Sequence, residues 1–61
     1  MGMATLLITN DIALMLGVSS RQVNRFVRDR KIPHVHLPSG EIRFRSVDIE
    51  KWLDSLQGVT A

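Results

Sequence analysis

Ile12-Ala13-Leu14-Met15-Leu16-Gly17-Val18-Ser19-Ser20-Arg21-Gln22-Val23 is the stretch on which the fold of this 61-residue chain turns. It reads as one short helix, a tight corner and the start of a second helix. Three residues have steric roles in such a corner. Ala13 is small enough to let the second helix approach closely. Gly17 can take the positive φ that ends a helix without a Cβ penalty. Val23 closes the angle from the far side. Ser19-Ser20-Arg21-Gln22 has the form of a capping box, with Ser19 bonding forward and Gln22 reaching back.

The flanking sequence extends both helices. The first is expected to begin after Thr9, whose hydroxyl would cap it, with Asp11 favourable in its first turn. It should run to about Leu16 and bury Ile12, Ala13 and Leu16. The second should run to Arg28 or Asp29, with Val23, Phe26 and Val27 on its inner face. Ser20, Arg21, Asn24, Arg25 and Arg28 then point outward, and arginine and asparagine are the side chains that reach phosphates, guanine edges and adenine edges.

Pro33 helps to end the helical region. Val35-His36-Leu37, the turn Pro38-Ser39-Gly40-Glu41 and Ile42-Arg43-Phe44-Arg45 predict a short hairpin. Alternation puts Val35, Leu37, Ile42 and Phe44 on one face and His36, Arg43 and Arg45 on the other. Ser46 is expected to cap a last helix with Asp48 in its first turn. That helix would bury Val47, Ile49, Trp52, Leu53 and Leu56 to varying degrees and fray near Gly58.

Composition narrows the classes of function. One small domain over residues 1–61, with a core from about 6 to 56, is near the lower limit for folding without staples. The chain has no cysteine, so disulfides and thiolate metal sites are excluded and a reducing cytoplasm suits it. Its apolar runs are far too short to span a membrane, and with no charged region followed by a cleavable apolar segment near residue 1, secretion is not expected. The net charge is only +2 but unevenly spread. From Arg21 to Arg45, seven basic residues (Arg21, Arg25, Arg28, Arg30, Lys31, Arg43, Arg45) face Asp29 and Glu41, a balance of +5. Elsewhere Lys51 faces Asp11, Asp48, Glu50 and Asp54, a balance of −3. An electropositive middle is the footprint of a polyanion partner, although a solvated charged surface would look the same.

The set Leu16-Gly17-Val18-Ser19, Val23-x-Arg25-Phe26-Val27-Arg28, Ile32-Pro33, Arg43-Phe44-Arg45 and Asp48-Ile49-x-x-Trp52-Leu53, in this order, resembles the excisionase and MerR-like winged-helix family. The resemblance covers about Leu7 to Leu56. Similar proteins are small phage- or plasmid-borne DNA-binding proteins: recombination directionality factors, AlpA-type regulators and DNA-binding modules of terminase small subunits. It implies a mostly α winged helix-turn-helix, three helices plus a two-stranded antiparallel wing, with the second helix in the major groove and the wing on the adjacent minor groove or backbone. Carried over by position, Arg21, Asn24 and Arg25 become candidates for base or phosphate contact. Ser20 and Arg28 would position the backbone, and Arg43 and Arg45 would serve the wing. The implied partners are double-stranded DNA, further copies of the chain bound cooperatively, and a recombinase or RNA polymerase. Two positions depart from the pattern. Arg30 stands where many members have glycine, which would cost roughly 1 kcal/mol if that site needs φ > 0. Leu14 stands where members tend to have a charge, so it is expected to be an exposed apolar residue that either covers Leu6 or Leu7 within the monomer or joins a contact between protomers.

Plainer readings compete at several positions. The helix arginines could be a solvated face, and Arg43 and Arg45 could guard a strand edge. His34 and His36 are close together, but no cysteine or further histidine completes a site and the carboxylates lie elsewhere in sequence, so no metal or cofactor is expected; a phosphate-facing role is a second reading of His36. Trp52, Phe26 and Phe44 fall on apolar faces and read as core. No nucleophile–base pair or Gly-rich phosphate loop is legible, so the chain does not read as an enzyme. The alternative to a DNA-binding regulator is a protein-interaction or phage-packaging module with the same fold.

Overall fold

In a computed structural model, which describes residues 5–56, the elements run β1 (Leu6–Leu7), α1 (Thr9–Leu16), α2 (Ser20–Arg28), β2 (Val35–His36), β3 (Ile42–Arg45) and α3 (Ser46–Leu56). The fold is a winged helix-turn-helix. The helical corner forms as its residues dictate. Gly17 adopts φ 70° and ψ 32°, and the Val18 N–H closes the turn on the Ala13 carbonyl at 3.0 Å. Val23 is fully buried behind the corner and Ala13 nearly so. The Ser20 hydroxyl donates to Asn10 Oδ1 at 2.6 Å and braces the start of α2 against the start of α1.

The caps differ in detail from expectation. Thr9 lies inside α1, and Ile8 occupies the cap position. An isoleucine side chain has no acceptor, so that end is served instead by Asp11, whose Oδ2 accepts from the Ile8 N–H at 3.0 Å. At α2 the forward half of the capping box is present, with the Gln22 N–H on Ser19 Oγ at 3.1 Å. The return bond from the Gln22 side chain is not among the hydrogen bonds of the described residues. Asp29 follows as the C-terminal cap of α2.

Both helices of the corner end with the same closure. Beyond α2 the Lys31 N–H reaches the Phe26 carbonyl at 2.8 Å and the Arg30 N–H reaches that of Val27 at 3.0 Å. This geometry needs a left-handed residue at position 30, and Arg30 supplies it at φ 58°. A glycine does that work after α1; after α2 an arginine does it against its steric preference.

The expected two-stranded wing is part of a three-stranded antiparallel sheet in the order β1-β3-β2. Leu6 and Leu7 add the third strand, pairing with Arg45 and Phe44. The pairing of β2 with β3 corrects the predicted faces. Val35 opposes Arg43, and His36 opposes Ile42. Directly opposed residues share a face, so Val35 goes with Arg43, and His36 with Ile42 and Phe44. The cause is the turn. The Gly40 N–H bonds the Leu37 carbonyl, and the Leu37 N–H bonds that of Glu41, both at 2.8 Å. Gly40 is left-handed at φ 96°. The loop is therefore Pro38-Ser39-Gly40, three residues ending in a left-handed glycine, rather than four. One residue less in the loop moves the register by one and exchanges the faces of β2.

The core comprises Ile12, Ala13, Val23, Ile32, Phe44 and Ile49. Leu7, Leu16, Phe26, Val27, Ile42, Trp52 and Leu53 pack around it partly buried. The rings of Phe26 and Trp52 lie 6.4 Å apart at 59°, the tilted arrangement aromatic pairs favour. Ser46 sits inside the first turn of α3 rather than before it, and its N–H bonds the Thr5 carbonyl at 3.0 Å. Ile49 is fully buried, but Val47 and Leu56 are about half exposed. Fraying near Gly58 falls outside the described residues. Leu14 is 83% exposed, so it covers neither Leu6 nor Leu7.

Candidate nucleic-acid interface

The amphipathic division of α2 builds the site. Val23 and, less completely, Phe26 and Val27 anchor its inner side in the core. Arg21, Asn24, Arg25 and Arg28 are all exposed on the other side. Among the described residues, the ion pairs are Arg43–Glu41 and Arg45–Asp48. None of the α2 arginines, nor Arg30 or Lys31, has a carboxylate partner there. A row of unneutralised guanidinium groups on a rigid helix can meet phosphates bidentately and read guanine edges.

Ser20 belongs to this surface by position, but it is half-buried and its hydroxyl hydrogen is given to Asn10. In this arrangement it orients the helix end. Arg43 and Arg45 lie on the sheet face that carries Val35, away from the face of His36 and Phe44. Arg43 is held at both ends of its guanidinium. It donates to the Ile42 carbonyl at 2.9 Å and meets Glu41 Oε1 at 3.4 Å. Arg45 approaches Asp48 Oδ2 at 3.7 Å. The structure thus gathers the α2 candidates on one exposed face and separates the wing arginines from them, each beside a carboxylate.

Arg28, from the predicted set, also converges with residues outside it. Between the end of α2 and β2 lies an open cleft of about 260 Å³ lined by Val27, Arg28, Arg30, His34 and His36. The imidazole rings of His34 and His36 are 5.2 Å apart, and His34 Nδ1 is 2.8 Å from the Ile32 carbonyl. Arg28 was legible from the helical period. The others required the correct hairpin register and the left-handed turn at Arg30, which bring the end of α2 and the base of the hairpin to the same cleft.

A family model described as a helix-turn-helix domain matches residues 6–57. That span includes every element from β1 through α3. No curated protein and no solved structure matches the chain. Among the described residues, no helix is long and apolar enough to cross a membrane.

Proposed function

The chain belongs to the helix-turn-helix domain family, which supports DNA binding through the α1–α2 unit, and from that premise we propose that it is a sequence-specific double-stranded DNA-binding protein. In this reading α2 lies in the major groove and the β2–β3 hairpin follows the adjacent minor groove or backbone. The biological role is that of a recombination directionality factor of the excisionase type or a small transcription regulator. The observation that carries the reading is the exposed row Arg21, Asn24, Arg25 and Arg28, with no carboxylate against it among the described residues, on a helix whose opposite side is fixed in the core.

One short helix and one hairpin read only a few base pairs. Useful specificity then needs neighbouring copies of the protein on repeated sites, or bending of the DNA. The protein would bind cooperatively and present shaped DNA to a recombinase or RNA polymerase. Arg25 is assigned to base readout and Arg43 and Arg45 to the backbone. Arg25→Ala should weaken binding and flatten base preference, whereas Arg43→Ala should weaken all sequences alike. Titration of both variants on a preferred and a scrambled duplex tests these roles; two variants that match the parent protein would remove them.

A further inference from the structure

We propose that the cleft lined by Arg28, Arg30, His34 and His36 seats a phosphate of the DNA backbone, the ridge that separates the two grooves. The inference rests on the DNA-binding reading and adds a contact set to it.

The geometry comes from the duplex as much as from the protein. The major groove and the neighbouring minor groove share one wall, a single phosphodiester backbone. A protein with a helix in one groove and a hairpin in the other must straddle that wall. In this chain the gap between helix and hairpin is the cleft between the end of α2 and β2. Its lining is basic from both sides. Arg28 comes from the last turn of α2, Arg30 from the left-handed turn just after it, and His34 and His36 from the approach to and the body of β2. Neither arginine has a carboxylate partner among the described residues. On the hairpin, Arg43 and Arg45 are engaged by Glu41 and Asp48 and belong to the opposite face.

The histidines suit an anion better than a cation. Two guanidinium groups share the cleft and oppose a metal ion. A carbonyl can only accept, so the Nδ1 of His34 carries a hydrogen in its contact with the Ile32 carbonyl. Its Nε2 has no hydrogen-bond partner among the described residues. The position of Arg30 has a second implication. Glycine would relieve the backbone there, so arginine at φ 58° gives up stability to place a cation at the cleft.

That conflict supplies the test. Arg30→Gly and His36→Gln are made in the full chain, alongside Arg25→Ala. Melting temperature and duplex affinity across a salt series are measured for each. The proposal expects Arg30→Gly to melt at or above the parent temperature. It should nevertheless lose about three- to tenfold in affinity on preferred and scrambled duplexes alike, with the log–log salt slope shallower by about one. His36→Gln should lose affinity in the same sequence-independent way. A parent protein that binds duplex, weakened by Arg25→Ala but not by Arg30→Gly or His36→Gln, would overturn the cleft assignment and leave the DNA-binding reading intact. A parent protein that fails to bind duplex at low salt would overturn both. In parallel, the imidazole resonances of His34 and His36 are followed with duplex and with inorganic phosphate at matched ionic strength. Movement with duplex alone supports the placement. Equal movement with inorganic phosphate, with duplex affinity unchanged in the variants, would assign the cleft to free phosphate and overturn it.

Discussion

Arg30 shows how one residue can be set between folding and binding. Its left-handed backbone closes α2, and the same φ of 58° is easier for glycine by roughly 1 kcal/mol. Arg30→Gly should therefore raise the unfolding free energy by up to about 1 kcal/mol, read by denaturant titration. Gly17 is the counterpart at φ 70°, where a Cβ meets no atom but the backbone conformation itself is unfavourable. Gly17→Ala should cost about 1 kcal/mol in the same measurement. The opposite signs of these two substitutions test the reading that both positions are left-handed helix closures. Gly17 was legible in the sequence because glycine advertises its conformation. At Arg30 the sequence alone offered only the resemblance, since nothing about an arginine signals positive φ. Thr9 was misread for a related reason: a threonine looks like a cap, whereas here the Asp11 carboxylate and the Ile8 N–H do that work.

At the scale of elements, helices were more legible than the sheet. The inner stripe Val23, Phe26 and Val27 recurs at helical spacing, and the structure anchors α2 on those residues. The hairpin depended on a single residue of loop length. Its alternation of apolar and polar side chains favours the four-residue loop, and the backbone bonds of Gly40 and Leu37 set the other register. β1 was missed because two leucines carry no period. They become a strand only because β3 offers them an edge. The ion pairs on β3 give the element its own prediction. Glu41 and Asp48 lie against the wing arginines, at 3.4 and 3.7 Å. Glu41→Gln and Asp48→Asn should each free a cation, and each should raise duplex affinity severalfold at low salt. Because each pair has at least one exposed partner, fold stability should change little. A fluorescence titration and a thermal melt on the same samples separate the two effects.

The whole molecule is a small core with one strongly cationic side. Phe44 and Ile49 are fully buried, and each joins the sheet or α3 to the helical corner. Truncation of Phe44 to alanine should remove about 3–5 kcal/mol. For a domain of this size that rivals the whole stability, so calorimetry should show Phe44→Ala largely unfolded at room temperature. The surface has a different organisation. The acidic residues Asp48, Glu50 and Asp54 fall on α3, while the arginines without a carboxylate partner among the described residues fall on and just after α2. If Arg21, Arg28, Arg30, Arg43 and Arg45 each displace a counterion, affinity should fall with a log–log salt slope of about −4 to −5 per protomer. The central claim is that this face reads DNA sequence. The direct measurement is a binding titration on a random-sequence duplex pool, at low and near-physiological salt, with the bound fraction recovered and sequenced. Enrichment of a short repeated motif, retained cooperatively and lost in Arg25→Ala, is the predicted result. No retention of duplex even at low salt would contradict it and leave the arginine face without a nucleic-acid role.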